Sequence, residues 1–157
     1  MLCSNDVHRT ISLLMVLFTC LVFTHATAWG AEDYVGRVAQ IKGTVTIQRG
    51  SATLAVAKDT LLKNEDTLST GPDGSIGIVF DDETTLSLGP GSKLIVQEYA
   101  FDPDRSNFAL VLQLLTGTAA YVSGLIAKLS PDTTRFITPA ASIGVRGTKF
   151  VIAVDEV

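Results

Sequence analysis

The sequence has few of the side chains that most often carry catalysis or bind metals. It contains two cysteines and two histidines in 157 residues, and all four (Cys3, His8, Cys20 and His25) lie before residue 26. The remainder of the chain therefore has neither a thiol nor an imidazole. This absence excludes disulfides, zinc sites built from Cys and His, and Ser-His or Cys-His nucleophile pairs from that part of the chain.

The first 28 residues have the pattern of a secretory signal peptide. His8 and Arg9 precede an apolar run at residues 11–24, which leads into small residues ending at Ala28. A basic start, a short apolar segment and an A-x-A site are typical of cleaved export signals. As a helix the run would reach only about 21 Å, against the ~30 Å hydrocarbon core of a membrane. We therefore predict a signal peptide at 1–28, a short linker at 29–34, and no stable membrane anchor after cleavage.

Positive charge is also scarce. The chain has 16 Asp and Glu against 12 Lys and Arg, a net charge of −4, and removal of Asp6 and Arg9 with the signal leaves this balance unchanged. A negative balance argues against nucleic acid or an anionic membrane surface as the partner. The sequence also has no phosphate-binding loop and no dinucleotide fingerprint. We predict no cofactor, no metal and no enzymatic activity.

From Val35 onward, apolar residues mostly alternate with polar ones, and Gly, Pro, Asn or Asp recur at short intervals. This pattern is typical of short strands in an all-β domain. We expect Gly89-Pro90-Gly91 to close a hairpin and Gly117 to end the strand before it. The clearest predicted strands lie at 44–48, 76–80, 85–88, 93–101, 107–115, 135–138, 142–146 and 150–154, with one helical turn within 124–129.

Two similar segments, GPDGSIGIVF and GPGSKLIV, each combine a Gly-Pro turn with a following strand. Their likeness suggests stacked hairpins or a roll. The predicted fold is therefore a single all-β domain at 35–157, built of short, mainly antiparallel strands in a roll or solenoid-like sandwich.

Four segments in this region resemble the FecR domain family, in the family's order. They are VGRVAQIKGTVTIQRG, LLKNEDTLSTGPDGSIGIVFDDETTLSLGPGSKLIV, LQLLTGTAAYV and FITPAASIGVRGTKFVI. The last is the most specific. Its signature residues are Thr138, Pro139, Val145, Arg146, Gly147, Thr148 and Phe150.

The resemblance implies an all-β domain in the periplasm of a Gram-negative bacterium, or secreted from it. The best-known members regulate iron uptake through a periplasmic sensor domain, a membrane helix and a cytoplasmic segment that acts on a sigma factor. This chain departs from that plan, because about ten residues precede a short apolar run and the sequence stops soon after the signature. We therefore expect a binding or sensing module and do not transfer the iron-regulator role.

Arg146 has a functional and a structural interpretation. Its guanidinium is suited to bidentate binding of a carboxylate on a ligand or partner. Alternatively, it forms an ion pair that holds the last hairpin, with Gly147 allowing a turn or bulge. We favour the structural interpretation for the whole signature.

Four acids in or near turns, Asp73, Asp81, Asp82 and Glu83, are weak candidates for a calcium site, since carboxylate oxygens suit calcium. They lack EF-hand spacing, and a solvated hairpin turn explains them equally well. A second group consists of aromatic residues that would either stack on sugars or fill the core. These are Tyr34, Tyr99, Phe101 and Tyr121.

Three functional hypotheses follow. The first is a non-enzymatic module that binds an envelope protein or glycan through a β surface, including strand addition at an exposed edge. The second is a small carboxylate-dependent enzyme or carbohydrate-binding module for envelope polysaccharide, which a cleft holding two acids would favour. The third is self-assembly into an oligomer.

Overall fold

A computed structural model describes residues 33–145 and 149–155. Within these ranges the chain forms a sheet of twelve strands, with an α-helical turn and a 3-10 turn between β9 and β10. The strands are β1 (Tyr34–Lys42), β2 (Val45–Arg49), β3 (Ala52–Ala55), β4 (Leu61–Lys63), β5 (Thr67–Thr70), β6 (Ser75–Phe80), β7 (Thr85–Leu88), β8 (Lys93–Asp102), β9 (Asn107–Val122), β10 (Thr134–Ile137), β11 (Ser142–Gly144) and β12 (Lys149–Val154). The turns are α1 (Ile126–Leu129) and the 3-10 turn Pro131–Thr133.

The short strands join end to end into long bent strands. β7 pairs antiparallel with residues 119–122 of β9, and β8 continues along the same strand from Thr116 to Asn107. The chain therefore keeps its direction through Gly89-Pro90-Gly91, and the hairpin predicted there is wrong. The reversal lies instead at residues 81–84, between β6 and β7, which pair antiparallel.

The same arrangement recurs along the sheet. β1 pairs with β6, and β2 continues along β5. On the other side of this pair, β3 lies beside β2 and β4 lies beside β1. These long strands bend at corners. The corners lie at residues 43–44 between β1 and β2, at 71–74 between β5 and β6, at 89–92 between β7 and β8, and at Gly117 within β9. Gly117 lies inside β9, so the prediction that it ends the strand is wrong. The all-β, mainly antiparallel, roll-like fold is confirmed.

The corners are close-packed and joined by hydroxyl groups. Gly117 has φ +87°, and a Cβ there would collide with Ser92. The Ser92 N–H donates to Thr70 Oγ1 (2.8 Å), and the Thr118 N–H donates to Ser92 Oγ (2.9 Å). Thr70 Oγ1 in turn donates to the Gly89 carbonyl (2.7 Å). These bonds satisfy backbone groups where the ladder is interrupted, which a buried corner requires.

The sheet curls so that its two halves share a core. Alternate residues of β5 to β9 are buried, apart from a register shift at Gln97 in β8, and the apolar ones form one cluster with Val35, Leu62 and Phe136. Phe80 on β6 stacks on Tyr99 of β8 with ring centroids 5.4 Å apart. Period-two alternation thus places one face of every bent strand inside, as half-buried strands require.

The last three strands extend the sheet beyond β9. β10 lies parallel to residues 110–113 of β9, β11 pairs antiparallel with β10, and β12 pairs antiparallel with residues 117–122 of β9. β12 thus lies at one end of the half formed by β4, β1, β6, β7 and the second part of β9.

Candidate functional site

β12 is the longest open edge strand in the described part of the chain. Four strands there pair on one side only: β3, β4, β11 and β12. The first three have four, three and three residues, whereas β12 has six. Proteins usually keep edges short or charged, because an open edge recruits further strands. β12 is longer than these strands, and its one charged residue is Lys149 at its start, so the five residues that follow, Phe150 to Val154, are all apolar.

The side chains of β12 alternate between the core and the surface. Phe150, Ile152 and Val154 are half-buried against the core cluster. Lys149, Val151 and Ala153 are exposed, and Val151 is 63% exposed. The pattern follows from pairing with β9, which fixes one face inward. The outward face thus presents apolar side chains beside the open backbone edge.

A groove runs beside β12. It encloses about 360 Å³ between β12 and the β10–β11 hairpin, and its walls are mostly apolar. The residues lining it are Thr138, Pro139, Ala140, Ile143, Ile152, Ala153, Val154 and Asp155. Ile143, 40% exposed, adds to the apolar surface on the hairpin side.

Thr138 holds the hairpin turn in shape. Its backbone N–H donates to the Ala141 carbonyl (2.8 Å), and the Ala141 N–H donates to Thr138 Oγ1 (3.1 Å). These reciprocal bonds fix Pro139 and Ala140 at the surface, where both are exposed. Proline adds rigidity, because its φ is already restricted. One wall of the groove is therefore preformed.

A second cavity, of about 310 Å³, lies at the N-terminal end of β1. Partial burial raises the pKa of Asp81, the neighbouring Asp82 carboxylate raises it further, and Arg37 opposes this. The described residues contain no group of three or more acidic, His or Cys side chains placed to hold a metal ion. The lining combines carboxylates, amides and aromatic rings: Asp33, Tyr34, Val35, Asn64, Asp81, Tyr99, Ala100, Phe101, Asp102 and Asn107.

The predicted aromatic face is not one surface. Tyr34 and Phe101 are half-buried at this cavity. Tyr99 is 7% exposed and Tyr121 is fully buried, so both belong mainly to the core. Tyr121 stacks on Phe150 with centroids 4.9 Å apart. Of the two interpretations, core packing describes Tyr121. At the cavity, Lys63 Nζ lies 5.0 Å from the centroid of the Tyr34 ring, and Phe101 packs against Phe108 with ring centroids 6.0 Å apart.

The four predicted turn acids do not form one cluster in the structure. Asp73 is exposed at a corner, where its Oδ1 accepts the Thr44 N–H (3.3 Å). Asp81 and Glu83 are exposed at the opposite end of β6, and Glu83 has φ +67°. Six strand residues span roughly 20 Å, so Asp73 is not part of one site with the others.

Asp82 departs from the solvated-turn interpretation, because it is fully buried. Its carboxylate accepts bonds from the Thr84 hydroxyl (2.7 Å) and from the Ile126 N–H (3.1 Å). Its carbonyl accepts the Leu125 N–H (2.7 Å), and Thr84 Oγ1 accepts the Gly124 N–H (3.0 Å). A buried carboxylate with this many donors is satisfied within the fold, so Asp82 anchors residues 124–126 to the β6–β7 turn.

Sequence reasoning missed a second buried acid. Asp66 is fully buried, and Arg49 binds both of its oxygens, with Nε to Oδ1 at 2.8 Å and Nη2 to Oδ2 at 2.7 Å. Asp66 also accepts the Lys63 N–H (2.8 Å). The two partners are 17 residues apart, and no short motif joins them.

A family model described as "FecR protein" matches residues 66–157, more than half of the chain. The chain belongs to the FecR family. No curated protein and no solved structure is similar enough to count as a match. Family membership supports a sensing or regulatory module associated with the cell envelope. The FecR match begins at Asp66, and the preceding strands β1 and β2 pair with matched strands β6 and β5.

The FecR signature divides between the core and the groove. Val145 is 4% exposed and donates its N–H to the Thr134 carbonyl (3.0 Å). Phe150 packs edge-on against Phe136 with centroids 5.1 Å apart. Thr138 and Pro139 form the groove wall described above. Arg146, Gly147 and Thr148 lie outside the described residues, as does the predicted signal peptide.

The described part of this FecR protein contains no helix that is long and apolar enough to cross a membrane.

Proposed function

We propose that the protein is a non-catalytic periplasmic module that binds an extended segment of an envelope protein by strand addition to β12. The observation that carries this proposal is the open edge of β12 beside a preformed apolar groove. Strand addition uses backbone hydrogen bonds for affinity and side-chain pockets for selectivity. The outer edge of β12 offers backbone hydrogen-bonding groups, and the groove offers a pocket for side chains.

The composition of the surface supports a protein partner. A glycan binds through hydroxyl hydrogen bonds to polar side chains, and the groove wall has few such groups. An apolar peptide side chain would displace water from Pro139, Ile143 and Ile152 instead. Burial of apolar surface is worth about 25 cal/mol per Å², so a few side chains suffice for a weak, reversible complex.

Site-specific photocrosslinking tests this proposal. A photoreactive residue at Val151, on the exposed face of β12, should capture an envelope protein in the intact periplasm. The matched control is the same residue at Thr53, which is exposed on the short edge strand β3. Mass spectrometry of the adduct should locate the crosslink in an extended, apolar segment. Capture of nothing at Val151, or equal capture at Thr53, would contradict the proposal.

The cavity at Asp81 favours a second candidate, a carbohydrate-binding site for envelope polysaccharide. Three carboxylates, two amides and the exposed part of Phe101 line it, a mixture suited to hydroxyl groups and a sugar face. Its volume of about 310 Å³ lies near the lower limit of small-ligand pockets.

Calorimetric titration with soluble peptidoglycan fragments tests this candidate. Asp102→Ala should weaken binding, whereas Asp104→Ala, two residues along the same turn and outside the cavity lining, should not. Incubation of the same fragments with the protein should yield no cleavage product. Absence of binding would remove the candidate, and release of shorter fragments would support the carboxylate-dependent enzyme.

A further inference from the structure

Opposite charges flank the apolar residues of β12 at equal distances from Ile152: Lys149 is the first residue of the strand, and Asp155 directly follows its last. Lys149 lies three residues before Ile152, and Asp155 lies three residues after it. The described residues give neither charge an ion-pair partner within the chain. The five residues between them, Phe150 to Val154, are all apolar.

A strand with this symmetry is complementary to an antiparallel copy of itself. If Ile152 of one copy lies opposite Ile152 of another, Lys149 of each lies opposite Asp155 of the other. Between the charged ends, Phe150 lies opposite Val154 and Val151 lies opposite Ala153. Each pair joins a larger with a smaller side chain, and opposite charges directly across a ladder are favourable.

The alternation of β12 strengthens this register over its alternatives. Phe150, Ile152 and Val154 face inward and Val151 and Ala153 face outward, so in this register every pair joins residues of one face. A shift by one residue pairs inward with outward side chains. A shift by two leaves the charges opposite apolar residues, and parallel pairing brings Lys149 beside Lys149.

We propose that the protein forms a two-fold symmetric dimer in which β12 pairs antiparallel with β12 of a second copy, centred on Ile152. The inference rests on the proposed function, because it uses the same strand addition, and it names the added strand. The sheet then continues through the dimer, and each open edge protects the other. Isologous pairing of one patch with itself is the usual geometry of closed dimers.

Charge exchange tests the register by analytical ultracentrifugation of the full chain. Lys149→Asp and Asp155→Lys should each raise the dissociation constant about tenfold, because each turns two attractive pairs into repulsive ones. The double variant Lys149→Asp/Asp155→Lys should return it close to the wild-type value, since the pairs are restored with the charges exchanged. Lys128→Asp, an exposed charge on α1, is the control and should leave it unchanged.

Crosslinking tests the centre of the pairing independently. In a chain with Cys3→Ser and Cys20→Ser, an added Ile152→Cys has only its own copy as a thiol partner. Residues directly opposite have Cα atoms about 4.5–5.5 Å apart, within disulfide range. Val151→Cys is the control, because its copy lies diagonally at roughly 7–8 Å or more. Oxidation should link Ile152→Cys and leave Val151→Cys monomeric.

The outcomes separate this inference from the proposed function. A wild-type chain that stays monomeric at all concentrations overturns the dimer, while a different protein captured at Val151 still supports strand addition. A dimer that ignores the charge exchange, or that links better through Val151→Cys, also overturns the proposed register. A dimer with the expected register, in a chain that captures only itself at Val151, supports this inference and identifies the partner strand.

Discussion

The Tyr99 hydroxyl and the Asp82 backbone are directly bonded inside the fold: the Asp82 N–H donates to Tyr99 Oη at 2.8 Å. Tyr99 Oη also lies 3.4 Å from Asp82 Oδ1, at the long end of a hydrogen bond. The pair connects the β6–β7 turn to β8, on the other half of the sheet. Substitution of either residue should therefore change the stability of the contact between the two halves of the sheet.

Loss of the Asp82 carboxylate should destabilise the fold strongly. Asp82→Ala leaves the buried donors of Thr84 and Ile126 without an acceptor, and we expect a loss of about 3 kcal/mol in the free energy of unfolding. Chemical denaturation measures this value. Asp81→Ala, at the exposed neighbouring position, should change it by no more than about 0.5 kcal/mol. Equal effects at both positions would contradict the role of Asp82 as an anchor.

Alkaline pH should unfold the protein partly through its buried tyrosines. Burial, aided by the Asp82 charge, raises the pKa of Tyr99 above its ordinary value of 10.0, and burial also raises that of Tyr121. The unfolded chain therefore releases these protons first. The stability that they contribute is complete below about pH 10 and falls above it by about 1.4 kcal/mol per pH unit for each tyrosine.

Tyr99→Phe tests this pH dependence. The variant should be less stable than the wild type at pH 7, because the Asp82 N–H loses its acceptor. Between about pH 10 and 11, however, its stability should fall less steeply, since one titrating group is gone. Denaturation at several pH values gives both slopes. Parallel slopes for the two proteins would show that Tyr99 does not contribute.

The corner at Gly117 should accept no other residue. Gly117→Ala combines a positive φ with a collision against Ser92, and we expect a loss of about 3 kcal/mol or more. Gly50→Ala is the matched control, because Gly50 has φ +57° but open space around it. Its cost should be limited to about 1 kcal/mol of backbone strain. Thermal denaturation of both variants separates steric collision from strain.

The Arg49–Asp66 pair should matter far more than the ion pair at the surface. Arg49→Met leaves a fully buried carboxylate without its guanidinium, and we expect a loss of about 2 kcal/mol, since Arg49 itself is 31% exposed. Arg105→Met breaks a contact of 3.7 Å between side chains that are 86% and 36% exposed. That change should cost about 0.5 kcal/mol or less. Comparable losses in the two variants would argue against a buried, bidentate role for Arg49.

Much of the fold could be predicted from alternation alone. β2, β6, β7 and β8 have clear period-two patterns, and the structure places them within a few residues of the expected bounds. β3, β4 and β5 were missed because short strands such as Thr67–Thr70, with a buried threonine, give little apolar signal. A Gly-Pro pair marks a bend, but the sequence does not show whether the next strand returns along the previous one or continues past it.

The candidate sites were harder to predict, because they depend on contacts across long stretches of chain. The acidic run around Asp82 predicts a solvated turn, whereas the buried carboxylate is satisfied in part by the N–H of Ile126, 44 residues later. The edge position of β12 is likewise a property of the finished sheet. Its residues predict a strand, yet only the pairing shows that one side of that strand has no neighbour among the described residues.

The row of corners also limits how such a domain can change in length. In each bent strand, the number of residues between a side chain and the corner decides whether that side chain faces the core or the surface. A residue inserted between a corner and a strand end would reverse the faces of everything beyond it unless a bulge absorbed it, as the register shift between Val96 and Glu98 does in β8. A residue added at the turns between strands would reverse nothing. The corners therefore fix which residues of each strand face the core, and we expect length variation among related chains to be confined to the outer turns.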